Sequence, residues 1–212
     1  MKSLFNDAEL IWMHTKVTLY EAFLGFGLAI VSAFILAIIM DSFDLVKKAF
    51  YPLLVISQTI PTIAIAPILI IWFGFGTLPK VLVVLMACFF PIIINLIDGL
   101  DNIDPDYLRL FELMEATKLQ TFRHLKGPVA MVHLLSGIKI SASYMVVSAI
   151  IAEWLGGEKG LGVYMVRAKN SYALDKVFAS IIVIIVISLI TIYFINFIGN
   201  HLIRLKNIEG EN

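Results

Sequence analysis

The chain has 212 residues, 60% of them hydrophobic and 15% charged, and its 16 basic and 16 acidic side chains cancel to zero net charge. A mean hydropathy of +0.93 excludes an ordinary soluble domain. Neutrality with a pI of about 6.9 leaves no basic surface for nucleic acid, and a single cysteine, Cys88, excludes an intrachain disulfide framework or cysteine metal site.

The N-terminal run MKSLFNDAEL carries acids and polar residues where a secretion signal would carry its apolar stretch, so the protein is expected to enter a plasma (inner) membrane whole, as a multi-pass chain. Apolar runs follow at 17–40, 51–73, 78–100, 134–154 and 177–203. Each approaches or exceeds the roughly 20 residues a helix needs to cross about 30 Å of hydrocarbon. Lipid offers the backbone no partners, so helix is the sensible form for all five. The expected fold is an all-α polytopic membrane protein, with 1–212 as one domain of five spans. Three tryptophans, Trp12, Trp72 and Trp154, fall near span ends as an interfacial belt requires.

Polar groups inside these spans are few and, apart from Glu21, Lys80, Asp98, Lys139 and Glu153, uncharged. Ser57, Gln58 and Thr59 precede Ile60-Pro61, where proline removes a donor and invites a bend; Asn95 follows Pro91; Ser141, Ser143, Tyr144 and Ser148 run along the fourth span. They read either as a solute pathway or as interhelical hydrogen bonds and small-residue packing. As a pathway, Ser57, Gln58, Thr59, Pro61, Asn95, Ser141, Tyr144 and Ser148 suit an uncharged planar heterocycle better than a strong anion. Five helices enclose little, so a homodimer with the pathway on its two-fold axis is the simplest assembly, a heterodimer the other. Glu21 is expected near the interface with Lys16, and Lys139 snorkels to its span end. His14, His124, His133 and His201 lack metal-ligand spacing, so no metal site is expected.

The exception to this apolar pattern is the charged, amphipathic insert 101–128 between the third and fourth spans. Asp104-Pro105 reads as N-cap and first helical residue. Leu108, Phe111, Leu119 and Phe122 recur at one-face spacing, with Arg109, Glu112 and Arg123 off that face. Thr117 and Gln120 fit a capping box, which predicts two short helices broken near Ala116-Thr117, the second stopped by Gly127-Pro128. The insert is either a solvated linker or an element gripped by a partner outside the membrane.

The segment through Pro128 with Ser136-Gly137-Ile138-Lys139 resembles the cytoplasmic loop of binding-protein-dependent ABC importer permeases. That family's pattern is Glu-Ala-Ala, three residues, Gly, nine residues, then Ile-x-Leu-Pro. Anchored on Pro128, it puts the Glu at Arg109, the two Ala at Leu110 and Phe111, the Gly at Glu115, the Ile at Leu125 and the Leu at Gly127. Only Pro128 of the strict pattern is kept. Glu115-Ala116-Thr117 with Gln120 and Phe122 resembles the family's Gly-Ala-Ser with Gln and Phe. Ile60-Pro61, Pro67, Trp72-Phe73-Gly74, Phe90-Pro91 with Asn95, Ala152-Glu153 and Gly160-Leu161-Gly162 are similar to the nitrate, sulfonate and taurine branch. Glu153-Trp154-Leu155-Gly156-Gly157 and Asp175-Lys176-Val177-Phe178-Ala179 look most like permeases for thiamine precursors of the hydroxymethylpyrimidine type, with riboflavin permeases close behind.

The resemblance implies a type I importer permease whose insert is a coupling helix docked on an ATPase. Leu119 and Phe122 would be its apolar anchors and Lys118 and Arg123 its polar rim, with Arg109, Glu115, Ala116, Thr117, Gln120 and Pro128 completing the segment. The chain has no Gly-x-x-x-x-Gly-Lys-Ser/Thr cradle and so no ATP site of its own. ATP and Mg would be used by two ATPase subunits, and an extracellular binding protein would deliver the solute. Glu153 is expected to hold a glycine-rich outer loop or gate made by Gly156, Gly157, Gly160 and Gly162. Many branch members begin with one more helix, so the N-terminus here is expected outside and the C-terminus in the cytoplasm. Eight inner basic residues (Lys47, Lys48, Arg109, Lys118, Arg123, Lys126, Arg204, Lys206) against seven outer ones (Lys2, Lys16, Lys80, Lys159, Arg167, Lys169, Lys176) lean the same way. Two other classes compete: an intramembrane enzyme, for which the spans hold too few acids, and an ATP-independent carrier or channel, which would show internal repeats or paired ionisable residues.

Overall fold

In the computed structural model, which describes the backbone of residues 7–209 and the side chains of 7–201, all regular structure among the described residues is helical. Lys2 and the side chains of Arg204 and Lys206 fall outside that description. In chain order the helices are α1 (Ala8–Ser42), α2 (Asp44–Ser57), α3 (Thr62–Phe73), α4 (Thr77–Asp101), α5 (Pro105–Leu113), α6 (Lys118–Thr121), a π-helical turn (Phe122–Lys126), α7 (Gly127–Gly156), α8 (Leu161–Asn170) and α9 (Leu174–Glu209).

Four of these segments are long and apolar enough to cross a bilayer unaided: α1, α4, the continuous run Lys118–Gly156, and α9. The fifth apolar run is not one helix. It breaks at residues 58–61 into α2 and α3, which meet at 101°. Pro61 supplies no N–H to continue α2, and the broken ends use local side-chain bonds instead: Ser57 Oγ donates to the Leu54 carbonyl and Thr59 Oγ1 to that of Ile56. α1 and α4 run in the same direction, with Lys80 beside Glu21 near their N-termini and Lys47, just beyond α1, beside Asp101 at the end of α4. The bent pair therefore returns the chain from one membrane face to the other.

The core is built by small residues that let backbones approach. Ala22, Ala29, Ala33 and Ala37 recur along one stripe of α1 and are fully buried. Across the α4–α7 contact, a Cβ on Gly137 would stand 2.8 Å from Ile92 Cα and 3.0 Å from the Pro91 carbonyl oxygen, closer than any larger residue permits. One turn further, Ser141 Oγ donates to the Cys88 carbonyl at 2.8 Å, and the Cys88 thiol faces the Ser141 carbonyl.

The structure differs from the sequence reading in three further ways. α1 starts nine residues before 17, because its first turns pack Ile11 against Leu161 and Tyr164 of α8 rather than entering lipid. Gly127-Pro128 does not stop a helix: the preceding π-helical turn, closed by the Gly127 N–H onto the Phe122 carbonyl, lets proline sit in the first turn of α7, where its missing donor costs nothing. Glu21 pairs with Lys80 at 2.5 Å, not with Lys16, whose ammonium lies over the Trp12 ring. Lys139 reaches Asn200 of α9.

The Glu21–Lys80 pair is buried, and one Glu21 oxygen has no partner among the described residues. Removing one member of such a pair strands the other charge, whereas replacing both with apolar groups is close to neutral. Lys80→Met alone should cost about 3–5 kcal/mol of stability and Glu21→Leu with Lys80→Met should recover most of it, read from thermal unfolding of the purified protein in detergent.

Candidate functional site

Three local structures carry polar chemistry: one at each membrane face and one between them. The insert 101–128 connects the end of α4 to the start of α7. Asp104 caps α5 by accepting from the Asp106 N–H at 2.9 Å, with Pro105 at the first position. Thr117 and Gln120 close both bonds of a capping box over α6. Between them α5 ends in a Schellman motif, in which the Ala116 N–H donates to the Phe111 carbonyl and the Glu115 N–H to that of Glu112. That motif drives Glu115 to φ +55°, the left-handed region that favours glycine.

The apolar residues of the insert do not share one face. Leu108 packs against the core, Phe111 and Phe122 are half-buried, and Leu119 is 75% exposed. Leu113 and Met114, at the end of α5, are 83% and 69% exposed, and spacing did not single them out. Arg109 reaches only its neighbour Asp106, and Lys118, Gln120 and Arg123 are exposed. Ion pairs pin the segment to the bundle: Lys126 to Asp41 at the end of α1, at 2.8 Å, and Lys47 to Asp101.

Between the faces, a cavity of about 610 Å³ opens where the α2–α3 bend lies over α4 and α7. Five predicted pathway residues line it: Ser57, Gln58, Asn95, Tyr144 and Ser148. Thr59 and Pro61 lie in the bend but outside the lining, and Ser141 is committed to Cys88 in the α4–α7 contact, an interhelical role. Phe90, Pro91 and Thr62 complete its polar and aromatic surface, and no lining residue carries a charge. On α4 the lining runs from Val83 to Asn95, the middle of the helix.

At the opposite face the first turn of α8 is capped in trans by two spans. The three consecutive amides at its start are otherwise orphaned. Gly160 N–H donates to His14 Nδ1 at 2.9 Å, Leu161 N–H to Thr18 Oγ1 at 2.8 Å, and Gly162 N–H to Glu153 Oε2 at 2.6 Å. Thr18 passes its own proton to Glu153 Oε1 at 2.6 Å. A carboxylate facing a helix N-terminus is favoured by the helix dipole as well as by the bonds. Gly160 holds φ +123°, and a Cβ there would collide with the Glu153 carboxylate. Gly156 and Gly157 form the turn out of α7. His14 and Thr18 escaped sequence reasoning because nothing along the chain ties residues 14 and 18 to 160 and 161. Asp7 joins the same corner through Lys176 at 2.6 Å and the Tyr164 hydroxyl at 3.0 Å, which together hold its carboxyl below the usual range.

Against known proteins, a family model described as the binding-protein-dependent transport system inner membrane component matches residues 25–204. The chain belongs to that family. It is 35% identical over 188 residues to a probable ABC transporter permease protein of Haemophilus influenzae, covering 89% of this chain and 77% of that one. It is 38% identical over 184 residues to the formylaminopyrimidine transport permease protein ThiX of Halalkalibacterium halodurans, covering 87% and 74%. Among solved structures, an amino acid ABC transporter crystallised with histidines superposes with a TM-score of 0.75 over 95% of this chain and 96% of that one, at 15% identity, a likeness of fold. The protein is therefore an ABC importer permease, a multi-pass inner-membrane subunit that works with a separate ATPase and a substrate-binding protein. Glu115 stands where the sequence resemblance puts a glycine, and its backbone takes the left-handed conformation that favours one.

Glutamine at 153 can accept only one of the two bonds that Glu153 accepts, and its amide would present a donor to another donor. Glu153→Gln should speed amide exchange at Leu161 and Gly162 by about 10- to 100-fold, the cost of a lost charged hydrogen bond, while amides in the α4–α7 contact keep their protection by hydrogen-exchange mass spectrometry.

Proposed function

We propose that this permease subunit moves an aminopyrimidine precursor of thiamine, of the hydroxymethylpyrimidine type, delivered by the extracellular binding protein. The observation that carries this reading is the cavity between the two faces, whose lining sets Phe90, Tyr144 and neutral polar groups among aliphatic side chains and carries no charge. A neutral planar solute crosses such a lining at little desolvation cost, whereas a sulfonate or nitrate would enter it without a counter-charge. Similarity to the formylaminopyrimidine permease supports the same class. Riboflavin, also planar and aromatic, is the second solute that fits; a sulfonate, taurine or nitrate fits least.

In this reading the face carrying the insert and the end of α9 is cytoplasmic, and the face carrying α8 is external. Two copies of the chain pair about a two-fold axis to complete the pathway that one copy leaves open. Each copy offers its insert to one of two ATPase subunits, which use ATP and Mg. Exposed Leu119 is the apolar anchor, with exposed Leu113 and Met114 on the same insert, and Lys118, Arg123 and Arg109 form the charged rim. Closure of the ATPases favours one of two arrangements of the spans. Glu153 and the capped start of α8 hold the outer gate in place, a reading supported by the bonds from Gly162 and Thr18 to Glu153.

Leu119 is exposed, so a charge there should disturb docking and leave the fold intact. Leu119→Asp is expected to abolish co-purification of the ATPase and nucleotide-driven uptake while the permease keeps its thermal stability in detergent. Full retention of the ATPase with normal uptake would remove the insert from the mechanism, and uptake without any nucleotide would mark an ATP-independent carrier.

A further inference from the structure

α8 ends in a Schellman motif: the Ala173 N–H donates to the Ala168 carbonyl and the Tyr172 N–H to that of Lys169, both at 3.0 Å. The motif puts Tyr172 at φ +56°, in the left-handed region where a Cβ is penalised and glycine is at home. Among the described residues, Glu115 and Tyr172 are the two non-glycine residues with positive φ. Each is the exposed residue that closes a helix by this motif, Glu115 on the insert and Tyr172 at the opposite face. The fold itself makes little use of the tyrosine, which at 89% exposure adds almost no packing. Leu174, two residues on, is 65% exposed, and Lys169, Asn170 and Ser171 around the turn are exposed as well.

Aromatic residues are common where a membrane meets water, and a place in that belt is the plain reading of Tyr172. The backbone argues against it. The headgroup layer is deep and fluid, so a tyrosine one position along the chain would serve a belt equally well without strain. A partner of fixed shape needs the ring at one point in space, and strained conformations persist where a site demands them.

We propose that Tyr172 is the anchor by which the extracellular binding protein docks on the permease, its ring entering an apolar slot on that protein with Leu174 beside it. This rests on the reading that puts α8 on the external face. Tyrosine at the centre of a contact is a common hot spot, and such a centre carries a polar rim. α8 has Arg167 and Lys169 in its last turn, both exposed, and no acid along its length. The slot it fits is therefore edged by carboxylates. The contact also has something to act on. From this turn α8 runs back as one 10-residue helix to its capped start, where His14, Thr18 and Glu153 hold the amides of Gly160, Leu161 and Gly162. Docking at one end of α8 bears on the outer gate at the other.

The test measures the dissociation constant of the purified binding protein against the permease–ATPase assembly in nanodiscs, for the wild type, Tyr172→Gly and Tyr172→Phe. Tyr172→Gly removes the ring and suits the turn. It should weaken binding by about tenfold or more, the loss expected of a hot spot. Its unfolding midpoint should hold or rise by about 2–4 °C, because relief of the left-handed backbone is set against glycine's greater freedom when unfolded. Tyr172→Phe keeps the ring and should recover most of the lost affinity. Equal affinities in all three overturn the anchor and leave the import function standing. A midpoint that falls in Tyr172→Gly while binding is unchanged assigns the ring to the fold or to the lipid interface, and overturns it too. In right-side-out membrane vesicles a membrane-impermeant maleimide should label Tyr172→Cys, the native Cys88 being buried. Labelling only after the membrane is opened would put the turn inside, and the orientation reading would fail, this inference with it.

Discussion

The close contact between α4 and α7 is the constraint on which the remaining structure depends. In lipid there is no hydrophobic drive to press two apolar helices together, so association rests on packing and on hydrogen bonds that cross between them. Gly137 supplies the first by letting the α7 backbone lie against Ile92 and Pro91, and Ser141 with Cys88 supplies the second. The insert and two walls of the cavity are attached to this pair. The insert is the chain that joins the end of α4 to the start of α7, and the cavity takes Asn95 and Phe90 from one helix and Tyr144 and Ser148 from the other. A partner pulling on the insert acts on both cavity walls with no intervening element. The third wall, α2–α3, is a different kind of structure: bent by 101° and exposed along most of its length, with Ile71 and Leu45 both at 81%.

Charge is used sparingly and near the faces. On the insert side, Asp41–Lys126 and Lys47–Asp101 tie α1, the start of α2 and the insert together. On the other side Glu21–Lys80 joins α1 to α4, while Glu153, Thr18 and His14 hold the start of α8. Between the faces the cavity lining holds no charge, and Lys139, level with the middle of α4, is turned to Asn200 of α9. Buried ions are expensive in this setting and their partners are specific, so the two faces are pinned while the interior keeps a lining suited to a neutral solute.

The sequence showed the class of fold plainly, because length and apolarity leave a membrane chain few options. It also showed the local signals of the insert: Asp104-Pro105 and the Thr117–Gln120 capping box depend on neighbours along the chain and formed as read. Contacts between distant segments were not legible. Glu21 lies five residues from Lys16 and 59 from Lys80, so proximity in sequence pointed to the wrong cation. His14 and Thr18 looked like ordinary polar residues because their partners, the amides of Gly160 and Leu161, leave no trace in side-chain pattern. Gly127-Pro128 reads as a stop by composition, yet the π-helical turn before it carries the helix onward. Polar candidates for a pathway could be picked by type, but only the fold separates Asn95, on the cavity, from Ser141, which is spent on packing.

If the proposed ATPase grips the insert, α4 and α7 should move as one unit. Paired spin labels at Asp98 on α4 and Val132 on α7, both solvent- or lipid-facing, measure it directly by electron–electron dipolar spectroscopy on the reconstituted assembly, nucleotide-free and trapped with ATP. The account predicts the same intrasubunit distance in both states. A shift of several ångström between them would mean that the two helices part during the cycle, and would contradict it.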